Sequence, residues 1–158
     1  MQLPLFTLVF GGFPENIAVA LLGFTISKAQ YTSWKTVVYT GIVLALTAYF
    51  IRMIPNITFG VHTLIQIAVL FLALIKFGKV EIANGILGSV IGFLALVVFE
   101  TIGVMSIMKI FNLTSADIVA NTYARTLAGW PHILLLFLSS FLIKKWRLRG
   151  HNNAFFSN

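Results

Sequence analysis

The chain contains no cysteine. That removes disulfides, thiolate metal sites and a cysteine nucleophile, and with them the cysteine-dependent membrane peptidases that process peptide pheromones. Acidic residues are almost as scarce, with four Asp and Glu against eleven Lys and Arg in 158 residues. Charged residues make up only 9% of the chain, where a soluble domain carries about 25%. A surface so poor in charge does not stay solvated in water, so the bilayer is the expected solvent for most of the chain. Catalytic motifs are missing as well: nucleophile elbow, phosphate-binding glycine loop, zincin helix and paired catalytic carboxylates. Gly11-Gly12 is not a phosphate loop, because no Lys-Ser or Lys-Thr pair follows it. The expectation is a protein that is not an enzyme and has no cofactor.

What is present is apolar. Hydrophobic residues are 59% of the chain and the mean hydropathy is +0.97. The net charge of +7 would suggest nucleic acid in a soluble protein. Here the cations sit at the ends of apolar runs, aromatics do not interleave with them, and no nucleic-acid partner is expected. Five runs read as spans, at about 3–26, 34–53, 57–75, 81–110 and 127–143. Each is near or above the length of about 20 residues that a spanning helix needs, the fifth being short. The first is interrupted at Gly11-Gly12-Phe13-Pro14, a kink or a helix restart, because proline removes a backbone donor and crowds the preceding turn. No positive region precedes it, so it reads as a retained span and not a cleaved signal. Period-2 alternation is absent, which argues against a transmembrane barrel. The fold class is an all-α integral membrane bundle. It forms one domain over residues 1–150, with a flexible tail at 151–158. In the polar stretch from Asn112 to Arg125, Thr114-Ser115-Ala116-Asp117 resembles a capping box and predicts a short surface helix.

Orientation follows from the cations. Lys28, Lys35, Lys76, Lys79, Lys144, Lys145, Arg147 and Arg149 fall on one side of five spans. Only Arg52, Lys109 and Arg125 fall on the other. The positive-inside rule then puts the N-terminus outside and the C-terminus in the cytoplasm of a multi-pass plasma-membrane protein. With that sidedness Glu15, Arg52, His62, Glu100, Arg125 and His132 all lie in the outer half, and every span contributes. A carboxylate in hydrocarbon costs several kcal/mol unless paired, protonated or hydrated. Glu15 and Glu100 therefore need partners, and the two arginines and two histidines are the donors at that depth. These six residues are either a ligand site or a buried polar network that fixes helix register. Two histidines and two glutamates are possible metal donors, but no close helical spacing joins them, and no metal is expected.

A second pattern is a stripe of small residues on the fourth span. Gly85, Gly88, Gly92 and Ala95 share one face, Phe99 interrupts it, and Gly103 resumes it. Gly88 and Gly92 allow close backbone approach, either within the subunit or across a homodimer seam. A third is the basic string Lys144, Lys145, Arg147 and Arg149, a stop-transfer anchor or a contact for anionic lipid headgroups.

Several segments resemble the N-terminal membrane sensor region of receptor histidine kinases from Gram-positive bacteria, of the quorum-sensing receptor kind. They are Phe13-Pro14-Glu15-Asn16, Tyr49-Phe50-Ile51-Arg52, Phe59-Gly60-Val61-His62-Thr63 and the stretch from Arg125 to His132. The resemblance implies a region that senses an external signal and relays it to a kinase. After Arg149 no dimerisation helix, phospho-acceptor context or ATP-binding domain follows. The resemblance thus implies a separate sensor subunit, a piece of a longer protein, or a bundle reused for assembly. The expected function is a non-enzymatic, receptor-like sensor of a small molecule or peptide, relaying to a protein partner. Two alternatives stand beside it: a substrate-binding membrane subunit of a transporter, and a structural or assembly subunit.

Overall fold

The computed structural model describes residues 5–29, 33–54, 59–114, 126 and 128–154. The described residues are helical, with no strand among them. The chain begins with a short helix α1 (Leu5–Thr7), a π-helical stretch (Leu8–Gly12) and α2 (Phe13–Ile26), which follow one another without a break. Then come α3 (Trp34–Met53), α4 (Phe59–Gly78), α5 (Ile82–Phe111) and α6 (Trp130–Ala154). Arg125 and all but the first residue of the predicted capping box lie outside the described residues.

Among the described residues four helices are long and apolar enough to cross a membrane: Leu8–Ile26, Trp34–Met53, Gly60–Gly78 and Ile82–Phe111. Helix α6 is not among them, because Lys144, Lys145 and Arg147 fall inside it and its uncharged, mostly apolar stretch runs only from Ile133 to Ile143, with Ser139 and Ser140 in it. It also extends to Ala154, beyond the apolar run and into the segment read from the sequence as tail.

The proline does not break the first span. Pro14 carries no N–H for the Phe10 carbonyl, and its ring crowds that carbonyl. The chain responds by widening ahead of the proline, where Phe13 N–H donates to the Leu8 carbonyl, five residues back. A π turn keeps backbone groups satisfied where water is excluded. The buried Asn16 adds a donor, from Nδ2 to the Gly12 carbonyl at 2.8 Å.

Helix ends are closed locally. Ser33 caps α3 by accepting from Thr36 N–H, which satisfies one of the four orphan donors of a helix start. Helix α2 ends with Lys28 at φ 56°, and Ala29 N–H reaches back to the Phe24 carbonyl at 3.2 Å. This is a Schellman closure built on lysine where glycine is usual. Asn112, at φ 50°, ends α5 in the same left-handed conformation.

Helix α2 is the centre of the bundle. It packs on α3, α5 and α6, while α4 fills the gap between α3 and α5. Ala18, Val19, Ala20, Leu22 and Phe24 are buried around it, against Leu44, Leu70, Leu74, Phe93 and Leu136. The outer faces are as apolar as the core, with Leu64, Leu72, Leu94, Met105 and Phe141 exposed. In water such a surface would drive association, whereas in lipid it needs no partner. Hydroxyls on these helices mostly bond their own backbone, as Thr47 does to Val43, Thr101 to Val97 and Ser140 to Leu136. Gln66 is buried in α4 and reaches across to the Leu44 carbonyl of α3 at 3.4 Å.

Glycines set the closest crossings. A Cβ on Gly41 would lie 2.6 Å from the Ile17 Cα, and one on Gly88 would lie 2.7 Å from the Gly23 carbonyl oxygen. The stripe on α5 thus faces inward along its length. Gly85 meets Phe71 and Ile75 of α4, Gly88 and Gly92 meet α2, and Gly103 meets Pro131 and His132 of α6.

Candidate functional site

Among the described residues, Glu15 and His132, both singled out from the sequence, meet. Glu15 follows Pro14 in α2, inside a helical run that continues unbroken from Leu5. His132 stands in the first turn of α6, after Trp130-Pro131. Gly103 of α5 packs beside it, and a Cβ there would lie 3.5 Å from the His132 backbone nitrogen, an ordinary contact. The imidazole is 3% exposed. Its Nε2 is 3.7 Å from the Glu15 Oε2, and the Glu15 side chain is 29% exposed. That distance suits an ion pair when His132 is protonated but is too long for a hydrogen bond. Neither ring nitrogen has a hydrogen-bond partner. A buried polar atom left unsatisfied costs about 1–3 kcal/mol, so the pair is a polar contact with unused hydrogen-bonding capacity.

The π stretch borders the same end of the bundle. A Cβ on Gly11 would lie 4.0 Å from both the Thr7 and the Thr126 methyl groups. The Thr7 hydroxyl is buried there without a hydrogen-bond partner. The same end of the bundle therefore holds the Glu15–His132 pair and, eight residues before Glu15, a buried threonine hydroxyl beside a widened helical turn, a feature often found at functional sites.

The remaining candidates are arranged differently. Glu100 is exposed on α5, one turn before Gly103. Arg52 is exposed in the last turn of α3. His62 is half-buried near the start of α4, with Nε2 3.4 Å from the Thr63 hydroxyl. Among the described residues no three His, Cys, Asp or Glu side chains group to hold a metal ion.

At the opposite end Lys144, Lys145 and Arg147 are exposed, and Arg149 continues the same helix. Arg147 Nη1 donates to the Thr25 carbonyl, near the end of α2, at 2.9 Å. Helices α2 and α6 run parallel and are thus tied at both ends, by Glu15–His132 and by Thr25–Arg147. Sequence reasoning read the basic string as an anchor or a contact for lipid headgroups and missed this second tie, because a hydrogen bond to a backbone carbonyl leaves no trace in residue types. It also missed Gln66, a lone amide deep in an apolar run. The cost argument that flagged Glu15 applies equally to that amide.

Comparison with family models, with curated proteins and with solved structures gives no match.

Proposed function

We propose that the chain is a five-span protein of the plasma membrane, N-terminus outside, that senses an external polar ligand at the Glu15–His132 recess. It has no catalytic role in this reading. The observation that carries it is the buried His132, with both ring nitrogens unpartnered and a carboxylate 3.7 Å away. A small molecule or peptide end that supplies a donor and an acceptor there gains the hydrogen bonds the protein lacks. Such a ligand favours the conformation in which the recess is formed, and only that difference shifts the population.

Helix α6 is the relay. His132 and Arg147 are separated along it by about 22 Å, and Glu15 and Thr25 along α2 by about 15 Å, at the usual rise per residue. The backward lean of the Arg147 side chain spans the difference. A shift of α6 at its outer end therefore moves the lysines and arginines at its inner end against α2. A cytoplasmic partner protein then reads the basic end, and the resemblance to receptor-kinase sensor regions supports the same direction of signalling.

The absence of native cysteine makes the test direct. Spin labels on Lys28→Cys and Lys145→Cys, in protein reconstituted in lipid nanodiscs, report the inner ends of α2 and α6. Glu15→Gln or His132→Gln is expected to shift the distance distribution between the labels. Identical distributions in all three proteins would refute the relay.

A further inference from the structure

The inner end of the bundle holds an open cleft of about 350 Å³ between α2, α3 and α6. Its floor is apolar, made by Leu21, Phe24 and Val37, and Trp34 forms one wall. Lys144 and Arg147 also line it, and among the described residues no Asp or Glu does. Arg147 spends one N–H on the Thr25 carbonyl, leaving the rest of its five donors available. Capping of the α2 dipole explains that one bond. It does not explain an apolar recess of this size, or a second cation beside it.

We propose that this cleft binds the phosphate of one anionic phospholipid, with the start of an acyl chain along Leu21 and the exposed Trp34. The depth is right for a headgroup. Trp34 opens α3, and tryptophan favours the membrane interface. Lys144 is the first charge after the apolar stretch of α6, so its stem lies along hydrocarbon while its ammonium reaches the phosphate plane. Charge complementarity selects the lipid class. Eight Lys and Arg lie at this end of the chain's helices and loops, with Glu81 the one acid of the composition beside them. The cytoplasmic leaflet is the anionic one. Naming that leaflet rests on the orientation proposed above, whereas the cleft and its chemistry do not. A lipid seated there would fix the distance between α2 and α6 at the end from which the relay is read.

The test uses the full chain in detergent, titrated with phosphatidylglycerol or phosphatidylcholine of identical acyl chains. Bound copies are counted by native mass spectrometry. The first phosphatidylglycerol is expected to bind about tenfold tighter than phosphatidylcholine. Lys144→Gln should weaken it about fivefold, the usual contribution of one lysine near an anionic surface. Lys144→Arg should restore it. Lys145→Gln removes the same charge one residue away, from a side chain that does not line the cleft, and should change little. Equal affinity for the two lipids overturns the proposal, and so do equal losses from Lys144→Gln and Lys145→Gln, which would signify diffuse attraction. Inorganic phosphate added alone should not displace the lipid at the same concentration. If it does, the cleft is a site for free anions and the lipid assignment fails. Because the titration is done in detergent, an error in orientation would not alter its outcome.

Discussion

At the residue scale the bundle is governed by a few positions where size or charge has no slack. Gly41 and Gly88 are the tightest. An added methyl meets Ile17 backbone atoms at 2.6 and 2.8 Å in one case, and the Gly23 carbonyl at 2.7 Å with Ser27 Cβ at 2.8 Å in the other. Backbone cannot rotate away, so helices must separate. Gly41→Ala and Gly88→Ala should each destabilise by about 1–3 kcal/mol, the range for overpacking. Gly92→Ala, whose methyl finds nothing nearer than 3.7 Å, should stay within about 0.5 kcal/mol of the parent. Thermal unfolding in one detergent, with the three variants side by side, checks the ranking. A Gly92 variant as damaged as the Gly88 variant would mean that the stripe also meets another chain. The sequence marks the glycines of α5 as a face without saying what the face touches, and it does not mark Gly41. The same limit applies to Glu15 and His132. The cost of burying charge identifies each from its type and depth, but depth carries no azimuth. Pairing two residues that are more than a hundred positions apart in sequence depends on how α2 and α6 turn toward each other.

At the element scale the helices themselves were the legible part, for a physical reason. Lipid offers no hydrogen bonds to an open backbone, so each apolar run has to be helical over its whole length. Helix α3 illustrates this, since Ser33 caps its start and Arg52 closes its last turn. The rule for breaks transfers less well. Gly11 to Pro14 reads as an interruption in water, yet here the backbone widens to a π turn and continues. Restoring one N–H with Pro14→Ala should let this stretch relax to α geometry. That turns residues before Phe13 by about 100° relative to Glu15, the angle of one residue on a helix. Gly11→Cys and Thr126→Cys offer a readout, since a Cβ at 11 lies 4.0 Å from the Thr126 methyl, which brings the two Cβ atoms near the separation a disulfide needs. The pair should crosslink under mild oxidation with Pro14 present and much less once Pro14→Ala is added. Equal crosslinking would show that the π turn does not depend on the proline.

At the scale of the whole molecule the helices differ in length more than a bilayer's thickness accommodates. Helix α5 has 30 residues, about 45 Å, against hydrocarbon about 30 Å thick. It must tilt or emerge from the membrane. The apolar stretch of α6, Ile133 to Ile143, covers about 16 Å by the same rise. In the five-span reading it reaches across only because its ends are cared for otherwise: His132 is buried against Glu15 and Gly103, and Lys144 and Arg147 extend to the interface along their own stems. This makes α6 the element on which the span count turns. Single cysteines at Lys28, Lys79, Asn112 and Lys145 test it in intact cells with a membrane-impermeant thiol reagent, in a chain that supplies no background thiol. Labelling of Asn112→Cys alone is the expected result, with the other three protected until the membrane is opened. If Lys145→Cys reacts from outside while Lys28→Cys and Lys79→Cys do not, α6 folds back without crossing. The chain then has four spans, and the relay loses its path to the cytoplasm. If Lys28→Cys and Lys79→Cys react and Asn112→Cys does not, the bundle is inverted. The Glu15–His132 recess would then open to the cytoplasm, where an external ligand cannot reach it.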